Sequence, residues 1–303
     1  MKVYFLFIPL IFMACKGANH QKDRKYLISR HLSAGGRYYF TIVNDTKTRI
    51  EVDGKETETS KWTEFGLIYE VVKDPSGNKL RVTYDKLHVK LQGNGEAKDI
   101  DIDNAGAGSD RVNKLLSNIK GASFLVTMKD NGEVERVDSV NELLDKIVAA
   151  LNTNDVNARK LLRQTISGWI GEDAVKANLE QAFNVFPDTA VYVDDKWTRR
   201  SQAGGDIRTN ALTTFSLKSV NGNIAEVTTK SEIDEQNRAT ELMGYNVNSS
   251  LKGEEEGSFY TDMTTGLLTK GATTASMSGT FTIMGREVPV KVSVKGKMEG
   301  KRL

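Results

Sequence analysis

The sequence predicts an α+β fold that is mostly antiparallel β: a strongly curved sheet or half-barrel of long meander strands, with a helical cluster in the middle of the chain. Three observations lead there. Apolar residues recur at every second position in long runs, and Asp-Gly, Pro-Ser-Gly and Asn-Gly turns separate those runs. One run changes phase halfway along, which implies a bend. Between residues 139 and 186 the apolar spacing switches to three and four, the period of a helix.

The first meander occupies residues 25–138. GGRYYFTIVNDTKTRIEV is one long strand candidate, closed by the hairpin pair Asp53-Gly54. TEFGLIYEVV follows with Phe65, Leu67, Tyr69 and Val71 on one face, and Asp74 to Gly77 turns into NKLRVTYDKLHVKL. In that run Leu80, Val82 and Tyr84 share one parity, whereas Leu87, Val89 and Leu91 share the other. A one-residue slip reverses every side chain, so the spacing predicts a β-bulge near Asp85-Lys86. In DIDIDNAGAGSD the isoleucines alternate with aspartates, as in a strand with one wet face. A calcium loop wants Gly sixth and Glu twelfth, and the chain has Asn104 and Asp110 there.

Val112, Leu115, Leu116 and Ile119 lie at helical spacing ahead of Gly121, and a hairpin turning at Asn131-Gly132 follows. Ser139-Val-Asn-Glu142 reads as a capping box that opens NELLDKIVAAL. Two further amphipathic helices, NDVNARKLLRQTISGWI and EDAVKANLEQAF, complete the helical stretch 139–186. The second meander, 187–303, returns to period-two strands with a turn at Asn221-Gly222. Glu254-Glu-Glu256 reads as a charged strand end. Val288, Val290, Val292 and Val294 share one side of the last strand, and Pro289 places that region at a sheet edge or irregular point.

The N-terminus sets the location. Lys2 is a minimal positive region, and Val3 to Met13 is an unbroken apolar run ending at Ala14-Cys15. A helix of that length rises about 16 Å, too short for a bilayer but within the range of a signal-peptide core. Cys15 is the sole cysteine, so no internal disulfide is possible. Residues 1–14 are expected to be a signal peptide, 15–24 a polar tether lipidated on Cys15, and 25–303 a single β-rich body.

Charge excludes some partners: 42 Lys+Arg face 40 Asp+Glu, a balance that makes no case for nucleic acid or for a membrane patch. No nucleophile elbow, phosphate loop or dinucleotide fingerprint is present, and His20, His31 and His88 form no zinc signature. Asp194 and Asp195 are adjacent on an extended segment and point apart, so they make no acid–base pair. No catalytic residue, cofactor or metal is expected. Trp62, Phe65, Trp169, Trp197 and Phe215 are the candidates to line a ligand cavity.

Several motifs together resemble an uncharacterised lipoprotein family of Bacteroidota: Phe12-Met-Ala-Cys15 as a loose lipobox, the GxxFxVxxxxxGxVxxV strand pair before a helix, VFPD…V…DDKW from Val185 to Trp197, and the D…TG turn from Asp262 to Gly266. The order of meander, helices and meander is more loosely similar to the lipoprotein-carrier fold, a half-barrel with covering helices. The lipobox resemblance implies acylation of Cys15, and Lys16 after it implies outer-membrane sorting, facing the periplasm. The carrier resemblance implies a non-enzymatic protein that binds a lipid or other apolar small molecule. The alternative is an adaptor docking a protein partner, and a hydrolase is the least favoured reading.

Overall fold

The computed structural model describes residues 24–72, 79–93, 95–104, 111–129, 131–203, 209–242, 245–283 and 285–303. Cys15, the tether before Arg24, the Asp74–Gly77 turn and Asp110 lie outside them. The strands are β1 (Arg37–Val52), β2 (Lys55–Val71), β3 (Lys79–Gly93), β4 (Glu96–Asp101), β5 (Ser123–Met128), β6 (Val134–Asp138), β7 (Lys196–Ala203), β8 (Thr209–Asn221), β9 (Ile224–Leu242), β10 (Tyr245–Asp262), β11 (Leu267–Ile283) and β12 (Arg286–Arg302). The helices are α1 (Arg111–Leu116), α2 (Val140–Ala149), α3 (Val156–Ile170) and α4 (Glu172–Phe183).

All the strands join one antiparallel sheet in the order β6-β5-β3-β2-β1-β12-β11-β10-β9-β8-β7, with β4 also on β3. The first and last strands therefore meet at the centre, in register from Tyr38 opposite Arg302 to Ile50 opposite Val290. Pro289 thus sits in a central strand, not at an edge. Its missing N–H is tolerated because the β1 ladder stops at Val290, one residue short of it. The expected bulge is present: Lys86 faces Gly66, Tyr84 faces Leu67, and Asp85 is the extra residue. Glu254 to Glu256 lie inside β10 rather than at its end, so alternation sends Glu255 inward and its two neighbours outward to Lys230.

Concave curvature crowds the inner side chains, and the sequence answers with glycine. On that face Gly253 lies opposite Met277, Gly271 opposite Phe259, and Gly279 opposite Leu251. A Cβ at Gly279 would overlap the Ser250 carbonyl oxygen. The result is a tight curl. Thr209 Oγ1 of β8 approaches Met277 Sδ of β11 at 3.9 Å, although two strands separate them. A flat sheet would hold those strands about 14 Å apart.

The larger apolar core lies between the helices and one end of the sheet, and includes Phe40, Tyr69, Phe183, Leu217 and Phe259. A second cluster, with Leu251, Met277 and Val292, fills the curl at the other end. Between them runs a polar belt in which Asn44, Thr46, Thr63, Thr213, Ser231 and Glu255 are buried.

Helix α4 bridges the two edges of this open sheet. Toward β6, the Val134 N–H donates to Glu180 Oε1 at 3.1 Å, and Gly132 packs on the Phe183 carbonyl. Toward β7, Trp197 Nε1–H donates to the Val185 carbonyl at 3.0 Å, and Arg199 holds the Phe186 carbonyl at 2.7 Å. The helix lies against β6, and Val185 and Phe186 just after it accept from side chains of β7, so the two edge strands are joined through this segment. Asp155 caps α3, accepting from the Asn157 and Ala158 N–H groups. Ser139 is no such cap for α2. It adopts a left-handed conformation, φ 69°, and its hydroxyl makes no cap bond, so the expected capping box does not form.

Candidate functional site

The five aromatic residues singled out as cavity lining do not line one cavity. Trp197 and Phe215 do come together, stacked at 5.7 Å and 11°, with Phe259 edge-on to Phe215 at 6.2 Å. Phe65 is buried in the sheet core. Trp169 is on α3, under the Lys61 ammonium at 5.7 Å. Trp62 faces the other way. It is three residues from Phe65, and an odd separation on a strand puts the two on opposite faces. It packs edge-on to His88 at 5.1 Å, and the Lys90 ammonium lies 5.5 Å from its ring, on the convex surface.

The space beside Phe215 and Phe259, under the C-terminal end of α4, is about 50 Å³. Ligand pockets for small molecules run to roughly 300–1,000 Å³. An acyl chain does not enter this one while α4 remains in place. Burial pushes the Glu180 carboxyl in its wall above the ordinary carboxylate range, although the Val134 N–H and the Lys176 ammonium pull it down. Between the ordinary and the raised value the folded chain keeps a proton that the unfolded chain has released. Stability therefore falls as pH rises through that interval. Glu180→Gln, which keeps the acceptor for Val134, is expected to flatten the fall of the urea midpoint as pH rises above the ordinary carboxylate range.

The convex face offers more room and a definite charge pattern. Two adjacent rows of the sheet cross there: Lys47, Ser293, Ser276 and Glu254, then Arg49, Lys291, Ser278 and Lys252. The serines are short and the flanking cations long, so the rows form a saddle of about 590 Å³. Arg49 is held by Glu58 at 2.6 Å and Lys252 by Asp234 at 3.6 Å. Lys47 and Lys291 make no ion pair among the described residues. Arg49 and Lys291 are direct cross-strand neighbours, a like-charge arrangement that costs stability. From Lys291 the outward positions of β12 continue through Lys295 and Lys297 to Lys301, over about 33 Å. Glu299 and, across in β1, Asp45 interrupt this strip.

The sequence signal for the strip was present as lysines at every second or fourth position of VKVSVKGKMEGKR, interleaved with Val and Met. Whole-chain charge concealed it. No group of three or more His, Cys, Asp or Glu able to hold a metal occurs among the described residues. None of their helices is long and apolar enough to cross a membrane.

Residues 76–268 match a family described as Family of unknown function (DUF6263). No curated protein matches the chain. Among solved structures the chain is similar to the crystal structure of Pseudomonas aeruginosa OpdQ, at 7% identity over 88% of this chain and 99% of that one, TM-score 0.21. It is also similar to P. aeruginosa OccK1 (OpdK), at 6% identity over 88% and 99%, TM-score 0.17. A third is OmpT of Vibrio cholerae, an outer membrane protein, at 8% over 87% and 72%, TM-score 0.15. Scores this low carry no structural or functional argument.

Proposed function

This chain belongs to the DUF6263 family of unknown function, and for it we propose the role of a non-enzymatic envelope lipoprotein, anchored through Cys15 at the outer membrane and facing the periplasm, whose body docks a protein partner. The single observation that carries the docking reading is the convex saddle with its lysine strip, where Lys47 and Lys291 make no ion pair among the described residues. Charge complementarity commits the partner to a protein segment rich in Asp and Glu, whose carboxylates accept from the ammonium groups and serine hydroxyls. The small space under α4 disfavours an acyl-chain carrier, because such a ligand would have to displace the helix that bridges the sheet edges. The anchor rests on the sequence: two or more acyl chains give stable attachment where one does not.

The test has two arms. Cys15→Ser is expected to lose palmitate label and move to the soluble fraction, and continued sedimentation with label overturns the anchor. The detergent-solubilised full chain is expected to bind a fluorescent decaglutamate peptide, more weakly as salt rises. The double variant Lys47→Glu, Lys291→Glu should bind it about tenfold or more weakly. Equal binding by that variant, no binding at all, or tighter capture by polyphosphate overturns the acidic-protein partner.

A further inference from the structure

The segment 24–36, between the tether and β1, presents an apolar patch. Tyr26 and Val191 exchange both backbone bonds: the Tyr26 N–H donates to the Val191 carbonyl at 2.8 Å, and the Val191 N–H to the Tyr26 carbonyl at 3.0 Å. Alternation about this bridge fixes the faces. Val191 and Ile28 turn inward and are buried, with Tyr26 packed beside them on the larger core. Lys25, Leu27 and Tyr192 therefore turn outward together. Leu27 is 56% exposed and Tyr192 38%, and the Lys25 ammonium lies over the Tyr192 ring at 5.2 Å. The Tyr192 N–H donates to Asp195 Oδ2 at 2.8 Å, which fixes the backbone that presents the ring.

The patch sits where the chain leaves the body for its anchor. Arg24 is the ninth residue after Cys15, so the span between them is at most about 32 Å. The His31 N–H donates to the Thr265 carbonyl at 2.8 Å, and Gly266 lies so close to the Ser29 carbonyl oxygen that a Cβ would overlap it. These contacts hold the segment on the β10–β11 turn, at the end of the sheet where β1 starts. Val52, at the other end of β1, is about 50 Å from Arg37 along the strand. A short tether gives whatever it holds an effective concentration in the millimolar range, so a contact too weak for a free protein is occupied in a tethered one.

We propose that the patch of Lys25, Leu27 and Tyr192 seats on the headgroup region of the phospholipid leaflet that holds the acyl chains of Cys15. The inference rests on the acylation of Cys15 proposed above. A tyrosine ring is apolar with a polar tip and settles at headgroup depth, leucine enters the layer beneath, and a lysine stem lies along both with its ammonium at the phosphates. Arg24, whose guanidinium is 5.6 Å from the Tyr26 ring, supplies a second cation at the same level. Asp194 and Asp195 follow Tyr192, so the local charge is balanced and apolar burial drives the contact. The seat therefore varies little with salt, unlike binding at the saddle. It also sets an orientation. With the start of β1 toward the bilayer, Lys47 and Arg49 of the saddle stand roughly 35–40 Å along the strand from that end, where a soluble partner reaches them.

The test reconstitutes the full acylated chain in vesicles of phosphatidylethanolamine and phosphatidylglycerol. Acylation leaves Cys15 without a free thiol, so Leu27→Cys and Val52→Cys each offer a single site for a nitroxide label; both positions are exposed, and neither change empties the core. The label at position 27 is expected to be several-fold more shielded from a water-soluble nickel chelate than the label at position 52, and more accessible to oxygen, which concentrates in lipid. Adding Tyr192→Glu to the Leu27→Cys chain should return position 27 to about the nickel accessibility of position 52. Palmitate labelling separates the two readings. A parent chain without label overturns the anchor and this inference with it. A labelled chain in which positions 27 and 52 are equally open to nickel, or in which Tyr192→Glu changes nothing, overturns the seat alone. Shielding of position 27 in native envelopes but not in vesicles assigns the patch to a protein and overturns the seat as well.

Discussion

Phe183→Ala is expected to destabilise the fold by about 3–5 kcal/mol, the usual cost of emptying a fully buried phenylalanine site. Phe183 has no solvent exposure, and its ring lies 5.8 Å from Phe40 and 5.7 Å from Tyr69, which are themselves 4.8 Å apart. Three rings from the first strand, the second strand and the bridging helix thus form one cluster. Aromatic pairs add about 0.5–1.5 kcal/mol beyond their area. The surroundings cannot collapse into the gap, because β1 and β2 are central in the sheet and fixed by ladders on both sides. Urea denaturation measures the loss, and Phe183→Leu should recover most of it. A change below about 1 kcal/mol for the alanine variant would show that α4 is not anchored through this ring.

Gly132→Ala should cost about 1–3 kcal/mol through backbone strain alone. Gly132 has φ 89°, where a side chain is unfavourable, and its added Cβ would overlap the Phe183 carbonyl oxygen. Two faults therefore coincide at one atom. Relief requires the end of α4 to move away from the β5–β6 hairpin, which stretches the bond from the Val134 N–H to Glu180. Hydrogen exchange at Val134 is the sensitive measurement: its protection should fall more than that of amides in the central β1–β12 ladder. Equal protection in the variant and the parent chain would separate the hairpin from the helix.

Much of the fold was legible because its signals are local. Alternation in RYYFTIVNDT fixes a strand whatever its neighbours are, and the parity change between Tyr84 and Leu87 fixes a bulge, since a strand has only two faces. The helices declared themselves by period, although the boundary at Ser139 misled: a serine followed by glutamate three residues on suits a cap, but the tight entry from β6 leaves Ser139 left-handed. Glu255 was illegible for the opposite reason. Flanked by Glu254 and Glu256 it looked like solvated charge, and only the register of β10 against β9 and β11 turns it inward.

The site depended most on long-range pairing. Trp62 and Phe215 looked equivalent as aromatic residues in strands, but one faces His88 on the convex surface and the other stacks under the bridging helix. Net charge close to zero hid a strip of lysines, because a sum over the chain discards position. The sequence alone determined the class of fold, the central helices, the bend and the lone cysteine beside an apolar run, all of which depend on spacings of a few residues. The tertiary structure decided which strands meet, which face each residue takes, and that α4 spans the open edges. Those outcomes arise from contacts between segments far apart in the chain, where a one-residue change of register exchanges inside for outside.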